Sequence, residues 1–361
     1  MRVALVHDYF SQYGGAERVL EALHALYPEA PIYTAFHDPR FTPAAWRSWE
    51  IRTSFLQRFP GWRRLFRLYL PWYPLAFESF DLRGYDLVLS SSHAFAKGAI
   101  PPAGARHVCY CHNTARFLWT SATYLESEHF GRLVQLLLQP TLSRLRMWDI
   151  SSNDRVDAFM ANSRNVAERI ARFYRRESTV IHPPAAVSSF PIAGERGQYF
   201  LTGGRLVAHK RFDVAVAACT RTGLPLLVFG DGRERARLEA LAGPLVQFLG
   251  RVSEERLRQL FLGCRAFLFP SEEDLGITPV EAMACGRPVI AYAAGGSLET
   301  VVAGVTGLFF PRQEAEALAG VLAAFRDDEF DPAAIRRHAE LFDTPRFQER
   351  VRAFVEAARG R

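Results

Sequence analysis

Both halves of this chain open in the same way, and that repetition constrains the fold more than any other feature. A short apolar strand near 2–7 runs into Gly14-Gly15 and an amphipathic helix near 16–26. A second strand near 199–202 runs into Gly203-Gly204 and a helix near 211–219. Strands near 32–36, 86–91, 107–111 and 157–161 continue the first half. The second continues with strand 225–229, the turn Gly230-Asp231-Gly232, helix 233–242, strand 246–249, helix 253–262 and strands 266–269 and 288–292. Strands alternating with helices, with glycine at the strand-to-helix corners, predict an α/β chain of two Rossmann-like, doubly wound parallel sheets. At 361 residues the chain exceeds one ordinary core and suits two domains. The expected break is His182-Pro183-Pro184, giving an N-terminal domain 1–182 and a C-terminal domain 183–342, with a small polar linker over 185–198. A last segment, 343–361, carries a helix near 345–359 that can return to the first domain. Such sheets bind ligands at the carboxyl ends of their strands, so two facing sheets would enclose a cleft.

Charge divides the halves. Residues 1–182 carry 22 Arg/Lys against 16 Asp/Glu, whereas 183–361 carry 22 of each, so the excess of +6 lies entirely in the first half. Within it, 51–77 holds five arginines, no acid and many aromatics. Arg58, Trp62, Arg63, Arg64 and Arg67 there suit the interface of an anionic membrane. Nucleic acid is the other partner that such a surface would attract. Pro60, Pro71 and Pro74 break the stretch into short pieces, which favours membrane contact over packing of Phe55, Leu56, Phe59, Trp62, Leu65 and Phe66 onto their own domain. No apolar run of about 18 residues suggests a spanning helix. The start, Met1 to His7, reads as a strand and not a signal peptide. Cys109, Cys111, Cys219, Cys264 and Cys285 form no CxxC pair and read as buried thiols of a reducing, cytoplasmic compartment. Peripheral association with the inner face of the cell membrane is the expected location.

The densest chemistry lies in Phe269 to Ile290. An apolar strand ends at Pro270, and two carboxylates, Glu273 and Glu281, bracket a glycine-containing turn that opens a helix. Thr278, Pro279 and Glu281 fit the N-cap, first and third helical positions. Backbone donors around Leu275 to Thr278 would form a concavity for an anionic or polyhydroxylated ligand. A capping-box role explains Glu281 equally well, and Glu272, Glu273 and Asp274 would also pass for a solvated acidic loop.

The ordered set Gly14-Gly15-Ala-Glu-Arg, Cys111-His112-Asn113, Gly204-Arg205-Leu-Val-Ala-His-Lys210-Arg, Gly230-Asp-Gly232, the Glu273/Glu281 pair and Gly295-Gly296-Ser-Leu-Glu-Thr resembles retaining, family-four glycosyltransferases of the GT-B fold. That resemblance covers nearly the whole chain. Its start HDYF, together with LVLSSSHAFAKG (87–98) and CYCHNTARFLW (109–119), is most similar to bacterial enzymes that transfer mannose from GDP-mannose in O-antigen or exopolysaccharide assembly. The resemblance implies a nucleotide-sugar donor, a glycan or lipid-linked acceptor, and no further cofactor. It assigns His112 to the transferred sugar and Glu273 to sugar hydroxyls. Glu281 would take the ribose, the 274–277 backbone sugar or phosphate, and the backbone at Arg251-Val252 the base.

Arg205 and Lys210 follow a strand and precede a helix, so both can reach a diphosphate and neutralise charge on the leaving nucleotide. Lys210 is one of only two lysines among 44 basic residues, which suits a need for a compact charge. Gly14, Gly15 and Gly230 would let backbone approach the donor. His7 and His93 end strands much as His112 does and stand as secondary candidates. Asp8 and Glu17 are conceivable nucleophiles without support. Front-face transfer with retention needs no protein nucleophile. No apolar strand ends in Asp-x-Asp, so metal-independent catalysis is expected. Rival readings are a UDP-sugar donor, a nucleotide-sugar epimerase, a nonenzymatic sugar-binding module and a dinucleotide oxidoreductase. The last is poorly served by Gly230-Asp-Gly232, which continues with Arg233-Glu-Arg.

Overall fold

The computed structural model describes all residues except 12, 120–131, 193, 195, 196 and 361, and the side chains of 132–137. The chain forms two compact units, one comprising Met1–Pro183 with Phe347–Arg361, the other Pro184–Arg346.

The first unit holds a seven-stranded parallel sheet of β1 (Val3–His7), β2 (Ile32–Thr34), β3 (Ile51–Thr53), β4 (Leu87–Ser92), β5 (Arg106–Cys111), β6 (Ala158–Ala161) and β7 (Ser178–Val180), in the order β3-β2-β1-β4-β5-β6-β7. Side chains alternate across each strand. Ala4 and Val6 therefore face a core with Phe36, Tyr73 and Phe77, while Val3 and Leu5 face the opposite core with Val19, Leu20 and Leu23 of the helix Gly15–Leu26. That second face also receives the last helix, Thr344–Arg359, whose Phe347, Val351 and Val355 form a buried stripe at a spacing of four.

The second unit holds a six-stranded parallel sheet of β8 (Phe200–Gly203), β9 (Leu226–Phe229), β10 (Val246–Gly250), β11 (Phe267–Phe269), β12 (Val289–Tyr292) and β13 (Gly307–Phe310), in the order β10-β9-β8-β11-β12-β13. In both sheets the direction of winding reverses beside the first strand, between β1 and β4 and between β8 and β11. Doubly wound sheets bind ligands at the carboxyl ends flanking this reversal.

Three features depart from the sequence expectations. β3, β7 and β13 add short edge strands that the pattern did not mark, because three or four residues give too little alternation to read. The 185–198 stretch is not a free linker at its start: Ala185, Val187 and Phe190 are buried in the second core, and Ala185 N donates to Phe342 O at 2.9 Å. Positions 193, 195 and 196 of it lie outside the described residues.

The basic aromatic stretch also differs. Leu56 is buried, and Phe55, Phe59, Trp62 and Phe66 pack against the first unit's core. Trp62 sits 5.2 Å from the Phe36 ring with Arg63 over it at 4.9 Å. Trp62 is therefore an inward-facing packing residue. Arg63 is held as well, its Nε donating to the buried Asp38 at 3.2 Å. The outward apolar residues are Leu65, Leu68, Trp72 and Leu75, with Arg58, Arg64 and Arg67 exposed around them.

Candidate active site

Around the β8/β11 reversal, the loops that follow the strands are locked in two pairs by backbone contact. Gly204 N donates to Phe229 O at 3.0 Å and Leu206 N to Asp231 O at 3.0 Å, tying the loop after β8 to the loop after β9. A Cβ on Gly230 would lie 1.8 Å from Gly204 O, and Gly230 adopts a φ of +100°, so glycine is required there by neighbouring backbone. Gly296 serves the loop after β11 in the same way. Its N–H donates to Glu273 O at 2.8 Å, and a Cβ on it would meet Leu275 Cα at 2.2 Å. The Gly295-Gly296 turn thus clamps residues 273–275 in place.

These loops bring Lys210 and Glu273 together. Lys210 Nζ lies 3.0 Å from Glu273 Oε1, with about a fifth of each side chain exposed. Glu273 Oε1 is itself buried, and no donor among the described residues meets it with hydrogen-bond alignment. The contact is a charge pair without a fixed hydrogen bond, which leaves the ammonium able to exchange partners. Lys210 is anchored from below, since Ser271 Oγ donates to its carbonyl at 2.8 Å. The next residue, Arg211, has a φ of 52°, a left-handed conformation costly to a side-chain-bearing residue. Its guanidinium is fixed by Asp213 at 3.1 Å and by Gln313 at 3.0 Å. Arg211 is the N-cap of the helix Phe212–Thr222, a turn that the sequence did not mark because a positive φ leaves no trace in the pattern. Arg205, exposed on the same loop, follows β8 by two positions.

The helix after β11 runs Ile277–Ala284 with Gly276 as its N-cap, and no side chain caps it. This corrects the expected start. Thr278 is not the cap, Pro279 is the third helical residue, and Glu281 is the fifth, beyond reach of a capping box. Glu281 is nonetheless 5% exposed. A carboxylate costs several kcal/mol to withdraw from water, so helix capping does not explain this one. Leu275 is buried, while Asp274, Gly276 and Ile277 are half-buried at the rim. Val252, half-buried just beyond β10, packs against the second core.

The β1/β4 reversal of the first unit has a different character: its polar groups are buried and bonded to one another. The parallel register pairs His7 with Ser91, placing their side chains side by side. His7 Nδ1 lies 3.1 Å from Ser91 Oγ, and Ser91 Oγ lies 2.8 Å from His112 Nε2. His112, immediately after β5, is half-buried, and Asn162 Nδ2 donates to its carbonyl at 2.8 Å. Burial, reinforced by His7 and His93, holds the His112 imidazole well below its ordinary range, so it is neutral at pH 7.

Glu17 accepts from Gly14 N at 2.8 Å. Gly14 is the N-cap of the first helix and Gly15 its first residue. The Gly14 N–H is therefore engaged internally and not offered to a ligand.

Asp8 is no nucleophile. Its carboxylate accepts from the backbone N–H groups of His93, Ala94, Phe95 and Ala96 at 2.6–3.2 Å and pairs with His93 Nδ1 at 2.9 Å. Burial alone would raise its pKa, but His93 and these bonds hold it far below the usual carboxylate range. For His93, burial opposes the charged imidazole, and the Asp8 carboxylate outweighs it and raises the pKa.

The model for "Glycosyltransferase Family 4" matches residues 13–188, and that for "Glycosyl transferases group 1" matches 188–341. One curated relative is the GDP-mannose-dependent monoacylated alpha-(1-6)-phosphatidylinositol monomannoside mannosyltransferase of Corynebacterium glutamicum. It is 33% identical over 156 residues, 38% of this chain and 41% of the relative. Another is the D-inositol 3-phosphate glycosyltransferase of Streptomyces avermitilis, 29% identical over 225 residues, 52% of this chain and 48% of the relative. The matched stretches thus span less than half the length of these two relatives. Among solved structures, Anabaena HepE in complex with UDP superposes with a TM-score of 0.70 at 19% identity, covering 99% of this chain and 100% of that one. Two parallel-sheet α/β units of this kind define the GT-B class of glycosyltransferase folds. The chain belongs to the group 1, family-4 glycosyltransferases.

Proposed function

We propose that the chain transfers a hexose, mannose from GDP-mannose in the favoured reading, to a lipid-linked or oligosaccharide acceptor in surface-polysaccharide synthesis, with retention of configuration. The observation that carries this reading is the Lys210–Glu273 pair, held at the β8/β11 reversal by glycine-clamped loops. In this scheme the second unit binds the donor. Lys210 and Arg205 take the diphosphate, Glu273 accepts from sugar hydroxyls, Glu281 holds the ribose and the backbone at Val252 meets the base. The first unit presents His112 to the sugar and binds the acceptor.

The bond from the sugar's anomeric carbon to the diphosphate oxygen breaks. The acceptor oxygen attacks from the same face, and its proton passes to the departing diphosphate. Lys210 and Arg205 stabilise the negative charge that grows on that leaving group. A cationic pair can do this without a metal ion, so turnover is expected to survive EDTA. Activity lost in EDTA and restored by Mg²⁺ would contradict that part.

GDP-mannose is favoured because a mannosyltransferase relative is named as GDP-mannose-dependent. The UDP bound to the structural neighbour favours the second reading, a UDP-sugar donor. A screen of GDP-mannose, UDP-glucose, UDP-galactose and UDP-GlcNAc, reading thermal shift and nucleotide release, separates them. GDP release from GDP-mannose is expected. Release only from a UDP-sugar would replace the donor, and release from none would remove the proposed function.

Membrane contact is part of this proposal. Among the described residues no helix is long and apolar enough to cross a membrane. Support for peripheral contact comes from exposed Leu68, Trp72 and Leu75 beside Arg58, Arg64 and Arg67. Such a surface matches an anionic bilayer in both charge and polarity.

A further inference from the structure

We propose that Glu17, His7 and Ser91 form a buried proton-ordering chain that fixes His112 as the Nε2–H tautomer, leaving a bare Nδ1 to accept from a sugar hydroxyl. The inference deepens the functional reading above and rests on it only for the ligand, not for the tautomer.

Four groups stand in a row. Glu17 Oε1 lies 3.9 Å from His7 Nε2, His7 Nδ1 lies 3.1 Å from Ser91 Oγ, and Ser91 Oγ lies 2.8 Å from His112 Nε2. His7 and Ser91 are fully buried and Glu17 nearly so. No hydrogen-bond partner among the described residues meets His7 Nε2, so the Glu17 carboxylate faces it without an intervening protein group.

For an imidazole carrying one proton, that carboxylate decides where the proton sits. A lone pair pointed at a carboxylate oxygen in a buried site is repelled, whereas an N–H is attracted even beyond hydrogen-bond length. With one proton on the ring, His7 carries it on Nε2, facing Glu17, and offers a lone pair at Nδ1 to Ser91. The Ser91 hydroxyl has a single proton and must donate it to that lone pair. Its oxygen is then left to accept, and only an N–H at His112 Nε2 can supply the bond. His112 is neutral, so its other nitrogen, Nδ1, carries no proton.

The consequence is chemical selectivity. A bare nitrogen accepts a hydrogen bond and cannot donate one. His112 would thus recognise a sugar hydroxyl and be poorly matched to a phosphate oxygen. His7, Ser91 and Glu17 act through His112 and are positioning residues. Glu17 also bonds Gly14 N, so the same carboxylate sets the entry of the first helix.

The test needs no ligand. Long-range ¹⁵N–¹H correlation spectra of ¹⁵N-histidine-labelled full-length protein at neutral pH report the tautomer of each ring, and His112→Asn identifies the His112 signals. The wild type should show a protonated Nε2 and an unprotonated Nδ1 at His112. Ser91→Ala should move His112 towards a mixture of tautomers, with Ser91→Thr restoring the wild-type pattern. In kinetics with GDP-mannose, Ser91→Ala should raise KM about fivefold with kcat little changed, the scale of one positioned hydrogen bond. A protonated Nδ1 at His112 in the wild type would overturn the chain's polarity, as would an Nε2–H pattern untouched in Ser91→Ala. Should the wild type turn over no nucleotide sugar, the functional reading fails while the spectra still decide the relay.

Discussion

The two lysines of this chain sit in opposite surroundings, one in each unit. Lys97, 1% exposed, lies 3.0 Å from the fully buried Asp149 and donates to Asp149 O and Ser152 Oγ at 2.6 Å. Asp149 also accepts from Trp119 Nε1 at 2.7 Å and from Tyr174 OH at 3.3 Å. Among the described residues, that knot is closed on itself and buried. Lys210 faces Glu273 at the same distance, yet a fifth of each side chain is exposed and the carboxylate oxygen is not met by an aligned donor. The same distance therefore means different things: a closed pair is architecture, an open one is available to a ligand.

Removing each ammonium should separate the two. Lys97→Met leaves the Asp149 carboxylate buried and uncompensated, and should cost about 3–5 kcal/mol in denaturant unfolding. Lys210→Met should change stability by less than about 1 kcal/mol. Equal losses would erase the distinction. Turnover should respond in the opposite sense. Lys210→Ala or Glu273→Ala should lower kcat by roughly 10²-fold or more, the scale of losing one electrostatic stabiliser. Near-normal rates in both would remove their assigned roles.

The glycine clamp is a milder lever on the open pair. Gly296→Ala forces a methyl against Leu275 Cα and should destabilise by about 1–3 kcal/mol. Because it displaces residues 273–275, its donor KM should rise as well. Unchanged KM with lowered stability would uncouple the clamp from the site.

Acid should expose the closed polar network of the first unit. Asp8 is held below its ordinary value of 3.8, so its contribution is complete above that value and is lost as pH falls towards its folded value. Between pH 4 and 3 the wild type should therefore lose stability faster than Asp8→Asn, by at most about 1.4 kcal/mol per pH unit for one group. Parallel decline of the two proteins would deny Asp8 that role. On the exposed face, neutralising Arg58, Arg64 and Arg67 should weaken binding to anionic vesicles by about 1 kcal/mol per charge. Unchanged binding would leave only packing as the purpose of that stretch.

Sequence carried these two regions unequally, for a physical reason. In the second unit the loops are shaped by glycines, and glycine pairs after strands are visible in a linear reading. The parallel sheets and most strand positions were legible that way, as was the loop after β8 that carries Arg205 and Lys210. The helix start at Gly276 was not, because Thr278-Pro279 offered a more conventional cap and the backbone of the clamped loop overrode it. In the first unit the polar network joins residues 84 positions apart, as His7 and Ser91 are. Only strand register brings them together, so Ser91 gave no signal beyond its place in a run of serines. The arginine-rich stretch misled in a similar way: its prolines argued against regular inward packing, yet Trp62 and Phe66 reach the core through short helical turns that no periodicity announces.

With only two lysines in the chain, ¹³Cε-lysine-labelled protein gives two ε-methylene signals, and titration with GDP-mannose reads both at once. The account predicts that the Lys210 signal shifts on donor binding as its ammonium leaves Glu273 for the diphosphate, while the Lys97 signal stays fixed. A donor that binds yet leaves the Lys210 signal unmoved, or moves Lys97 in its place, would contradict it.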